Sequence, residues 1–132
     1  VKAFGIQNLA NTAWAFARLR GSKWEPLMSD IATGALSKMS QFDPQSLANT
    51  AWSCARLCYN DRPLLSAVEV ATIQTIRRFT NQNLANTAWA FASLAVSDCT
   101  PALGKIADVS LTRLSEFDSQ NLGNTVWAFA TM

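Results

Sequence analysis

The side chains best equipped for recognition chemistry are short polar ones at fixed places in a recurring phrase. Asn8, Ser46, Asn83 and Asn121 share one position, and Asn11, Asn49, Asn86 and Asn124 share another three residues on. Seven residues further stand Arg18, Arg56, Ser93 and Thr131. An amide offers a donor and an acceptor side by side, which suits the edge of a nucleobase, and an arginine fork can stack on a flat ring or hold a phosphate. Such groups bind; they do not supply an acid, a base or a nucleophile. The chain has no histidine, no G-x-S-x-G, no phosphate-cradling glycine loop and no recurring carboxylate pair. The sequence therefore points away from an enzyme and implies no cofactor.

The three cysteines, Cys54, Cys58 and Cys99, lack a CxxC spacing and suit a reducing compartment. Cys54 and Cys58 fall four apart on one predicted helix. Cys54 takes the slot filled elsewhere by Phe16, Phe91 and Phe129, so it reads as a small buried hydrophobe.

What must position these groups is a repeat. A phrase close to F-x-x-Q-N-L-A-N-T-A-W-A-F-A occurs as Phe4 to Ala17, Phe42 to Ala55, Phe79 to Ala92 and Phe117 to Ala130. Its tryptophans, Trp14, Trp52, Trp89 and Trp127, are spaced by 38, 37 and 38 residues. A fixed period in that range signals stacked supersecondary units, and the sequence predicts an all-α solenoid of helix-turn-helix repeats. The expected units are 1–42, 43–79 and 80–117, with 118–132 the first helix of a fourth. Without a capping repeat at either end, the whole reads as a segment of a longer array.

Each unit divides into two helices. Asp43, Thr80 and Asp118 stand where an N-cap is wanted for the motif helix, with Pro44 at its first position. Loops such as Gly21-Ser22-Lys23 and Asn60-Asp61-Arg62 then lead to Pro26, Pro63 and Pro101, which open the second helices. In those, Met28, Ile31, Leu36 and Met39, with their counterparts Leu65, Val68, Ile73 and Ile76, then Leu103, Ile106, Leu111 and Leu114, are expected to form a buried stripe. Their charged residues, Asp30, Lys38, Glu69, Arg77, Arg78, Lys105, Asp108, Arg113 and Glu116, are expected on a solvated outer face.

On a helical wheel the first helix has an apolar arc too broad for one neighbour, so it must be an inner layer. The remaining stripe is Gln7, Asn8, Asn11, Ala15 and Arg18 with their equivalents. Two readings stand open for Asn11 and its counterparts. The amides, with Thr12, Thr50, Thr87 and Thr125, bond across to adjacent units and fix register; or they face a groove and read a ligand. For the Asn8 and Arg18 positions the ligand reading is preferred, because those positions vary between units and can discriminate. In that reading Ala15, Ser53, Ala90 and Ala128 leave room for a base. The tryptophans are expected to fill space between units rather than to stack on a ligand.

The phrases Gln7 to Ala17 and Pro44 to Leu57, at this period, resemble the octotricopeptide repeat over essentially the whole chain. The resemblance implies a helical-repeat protein of algal or dinoflagellate type, imported into chloroplast or mitochondrion. Its partners would be single-stranded RNA, ribosomal RNA included, with a role in transcript stability, processing, translation or ribosome assembly. Asn8, Asn11, Arg18, Ser46, Asn49, Arg56, Asn83, Asn86, Asn121 and Asn124 are the expected contacts. The rival is a protein-interaction scaffold in a larger organellar complex, since the fold does not fix the ligand. The net charge of +2 gives no broad electrostatic pull on a polyanion. No apolar run is long enough for a membrane span, and no targeting leader is visible.

Overall fold

The computed structural model describes residues 3–19, 23–94 and 100–132. All regular structure among them is helical. The motif helices are α1 (Ile6–Leu19), α3 (Pro44–Leu57), α5 (Asn81–Ser93) and α7 (Ser119–Ala130). Between them run α2 (Glu25–Lys38), α4 (Arg62–Thr75) and α6 (Thr100–Thr112). Gly21, Ser22 and Cys99 lie outside the described residues.

Local chemistry sets the boundaries. The side chains of Asp43, Thr80 and Asp118 accept hydrogen bonds from the backbone N–H of Ser46 (2.7 Å), Asn83 (3.1 Å) and Asn121 (2.7 Å). Each satisfies a first-turn donor that has no partner within its helix. Asp61 does the same for α4 through Leu64 N–H at 2.9 Å. Pro26, Pro63 and Pro101 each occupy the second residue of their helix, where a missing N–H costs nothing. After the second helices a single 3₁₀ turn (Met39–Gln41, Ile76–Arg78, Leu114–Glu116) tightens the chain. It hands over to an extended phenylalanine, Phe42, Phe79 or Phe117, all buried.

The motif helices pack side by side in chain order, α1 on α3, α3 on α5 and α5 on α7. Helices α2, α4 and α6 pack on their own motif helices and on one another, forming a second row. Leu9, Leu47 and Leu84 with Ala13, Ala51 and Ala88 fill the space between rows, and Phe91 and Cys54 lie wholly inside. Among the described residues no second-row helix follows α7. Val126 is 64 % exposed although its counterparts Ala13, Ala51 and Ala88 are fully buried.

Several expectations change in three dimensions. The buried stripe of the second helices is narrower than their periodicity suggests: Leu36, Leu111 and Leu114 are exposed and Met39 and Ile73 half-buried. Ala32, Ala35, Ala71, Thr72 and Ser110 are the residues turned inward instead. Three charges assigned to the outer face are structural. Glu69 is buried, and its carboxylate accepts from Ala102 N–H at 3.3 Å, serving the first turn of α6 from the preceding unit. Lys38 donates to the carbonyl of Phe4, and Arg113 to those of Phe79 (2.6 Å) and Arg77 (3.1 Å). These cations tie the end of a second helix to the start of the motif helix before it.

Cys54 is the buried hydrophobe expected, and burial pushes its thiol pKa up to about 12. Cys58 is exposed and lies just beyond α3 rather than on it, in a left-handed conformation with φ 53°.

Candidate nucleic-acid interface

Along each motif helix the positions open to solvent follow the spacing i, i+4, i+7, i+11, which is one stripe at 3.6 residues per turn. In α1 these are Gln7, Asn11, Trp14 and Arg18, all exposed. Counterparts on the later helices are Gln45, Gln82 and Gln120, exposed; Asn49, Asn86 and Asn124, half-buried; and Arg56, half-buried, with Ser93 and Thr131 exposed. Trp52 and Trp89 are half-buried, while the outermost rings are open, Trp14 at 37 % and Trp127 at 44 %.

The other two positions of the sequence-predicted stripe turn aside. Asn8 is exposed, but Ser46 is only 3 % exposed, Asn83 is half-buried and Asn121 is at 9 %. Ala15 is likewise open in α1 whereas Ser53, Ala90 and Ala128 are fully buried. Both positions are open on α1, the first motif helix described, and closed or half-closed on the helices that follow another, so they face the preceding helix. The small residues at the second of them let neighbouring helices approach closely and leave no room for a base there.

Asn11, Asn49, Asn86 and Asn124 stay on the open edge. Among the described residues no hydrogen bond joins these amides to a neighbouring helix. Nor do the threonines bridge units: Thr50 donates to its own helix at Ser46 O, 2.8 Å away, and the hydroxyls of Thr87 and Thr125 are buried without a partner. Hydrogen bonds from these amides and threonines therefore do not join the units; side-chain ties between units come from Glu69 and Arg113 instead.

The tryptophans form a continuous ladder. Ring centroids are 6.4 Å apart from Trp14 to Trp52, 6.5 Å to Trp89 and 6.2 Å to Trp127, with tilts of 36–38°. Rings at such separations attract one another, so the space-filling role expected of them is present. The ladder also runs along the open edge, with Trp14 and Trp127 exposed and Trp52 and Trp89 half-buried. Trp lies seven residues after Gln and four before Arg, a spacing that already put it on their stripe.

Arg18 sits over the Trp14 ring at 4.9 Å and Arg56 over Trp52 at 5.7 Å. Each guanidinium lies in the last turn of its helix, where the dipole favours a cation. Helices α1, α3, α5 and α7 hold no Asp or Glu at all, and these two arginines are their only charges. Arg18, Trp52, Arg56, Trp89, Gln120 and Asn124 line an open depression of about 530 Å³ crossing all four motif helices. A second depression, about 470 Å³, lies between Met39, Phe42 and α4, and its lining has no charged residue.

No group of three or more His, Cys, Asp or Glu among the described residues could hold a metal. Nor is any described helix long and apolar enough to cross a membrane. Compared with protein-family models and with curated proteins, the chain matches none.

Proposed function

We propose that this chain is an α-solenoid of helix-turn-helix units about 38 residues long, of octotricopeptide type, and that it binds single-stranded RNA along the open edge of its motif helices. The units would be 1–42, 43–79 and 80–117, with 118–132 opening a fourth. The observation that carries the reading is the depression across four helices. Its lining combines arginine, aromatic faces and amides, and no carboxylate stands on the helices that form it. Polyanions need the first, bases stack on the second, and base edges bond to the third.

The spacing favours a strand with its bases unstacked. Indoles repeat every 6.2–6.5 Å, close to twice the ~3.4 Å that separates nucleotides in a stacked strand. One nucleotide per helix therefore requires the strand's own stack to open, which frees base edges for Gln and Asn. With each stacked base worth roughly 1–3 kcal/mol by substitution, four helices give a weak binder with a short address. The resemblance to the octotricopeptide repeat gives the role proposed for such binding, a contribution to transcript processing, stability, translation or ribosome assembly in chloroplast or mitochondrion.

Fluorescence anisotropy with labelled oligouridylate and oligoadenylate across a salt series tests the reading. RNA binding should weaken as salt rises, by a slope of about 0.7 in log K per phosphate held. Absence of binding at low salt would remove RNA and leave a protein-interaction scaffold as the account of the same edge.

A further inference from the structure

The groove is not uniform along its length. Its α1 and α3 end carries Arg18 and Arg56, while the α5 and α7 end carries Gln120 and Asn124, with Trp52 and Trp89 between. At the position of the two arginines α5 and α7 have Ser93 and Thr131, so no cation continues the series. Resting on the RNA reading above, we infer that the groove is divided: the α1–α3 end holds two successive phosphates, and the α5–α7 end reads bases.

The cation end suits phosphate for a geometric reason. Each guanidinium lies against an indole, which orients it without using up its N–H donors. Phosphate oxygens can accept from those donors while the ring contact stays in place. No carboxylate on the motif helices competes for either cation.

The amide end lacks charge, so it gains little from the backbone and everything from complementarity. Gln120 is exposed and Asn124 half-exposed, and four residues apart on α7 they project from one face. Two amides side by side offer paired donors and acceptors, the pattern that distinguishes one base edge from another. Gln7, Asn11, Gln45 and Asn49 carry the same groups on α1 and α3 but lie outside the lining of the depression, so within it the cations stand at the α1 and α3 end and the amides at the α7 end.

The test uses the whole chain, labelled oligouridylate and oligoadenylate, and circular dichroism to verify helicity. R18A/R56A should lower the salt slope by about 1.4, at roughly 0.7 per phosphate of a single strand, and leave the ratio of the two affinities unchanged. Q120A/N124A should move that ratio toward one and leave the slope unchanged. Ser93→Arg, extending the cation series onto α5, should raise the slope by about 0.7. If both double variants change slope and ratio alike, or Ser93→Arg leaves the slope unaltered, the division is wrong while RNA binding stands. If the parent chain binds neither oligomer, the RNA reading fails and the division with it.

Discussion

Phe91 and Phe129 hold the same place in the phrase, and the packing of the motif helices makes their truncations differ. Phe91 on α5 is fully buried, whereas Phe129 on α7 is 37 % exposed. Removing a ring from a closed site costs its transfer free energy and leaves a cavity, so Phe91→Ala should destabilise by about 3–5 kcal/mol. For Phe129 no closed cavity forms. Scaling the roughly 1.5–3 kcal/mol of a fully buried ring by its covered fraction leaves about 1–2 kcal/mol. Urea denaturation followed by circular dichroism reads both, with the slope m required to stay constant so that midpoints report stability. Marginal domains have only about 5–15 kcal/mol in hand, so Phe91→Leu, at about 1 kcal/mol, serves if the alanine variant fails to fold. Equal costs for Phe91→Ala and Phe129→Ala, or a greater cost at Phe129, would refute the side-by-side packing from which these magnitudes come.

Other substitutions examine single contacts. Cys58 is left-handed with φ 53°, so Cys58→Gly should relieve strain and raise stability by about 0.5–1 kcal/mol, seen as a higher urea midpoint. Glu69→Ala removes the acceptor for Ala102 N–H and should cost about 1–3 kcal/mol, while Glu69→Gln, which keeps an amide oxygen there, should cost less in the same titration. Iodoacetamide near neutral pH should label Cys58 and spare Cys54, as mass spectrometry of the intact chain and its peptides would show. Because folding raises the Cys54 pKa from 9.0 to about 12, its contribution is fully present below pH 9 and is lost as pH rises toward 12. Tyr59, shifted upward chiefly by burial and then by Asp61, acts in the same direction. Cys54→Ala should therefore lessen the fall of stability between those limits, measured as the urea midpoint against pH.

Much of the local architecture was legible because its causes are local. Asp43, Thr80 and Asp118 cap the helices they precede, and the prolines open the helices they were assigned to, since capping and proline geometry depend on only a few neighbouring residues. Long-range ties were not legible. Glu69 and Arg113 reach backbone groups more than thirty residues away, and in sequence they are indistinguishable from charges on a solvated face. The burial of Cys54 could be inferred from the phenylalanines that share its slot; the left-handed turn at Cys58 had no such counterpart to announce it.

By itself the sequence determined the recurrence, the helical period and the class of groups on the motif helices. Angular position on a helix follows from residue number alone, so Gln7, Asn8, Asn11, Ala15 and Arg18 could all be placed on one side, with Trp14 at the edge of the apolar arc. Which of them stays open depends on where the next helix lies, and that is a property of packing. Only the tertiary structure turned Ser46 and Ser53 into the contact with the preceding helix, left Gln45, Asn49, Trp52 and Arg56 on the edge, and aligned four indoles into a ladder. A shift of one residue is about 100° around a helix, enough to carry a side chain from the groove into the interface beside it.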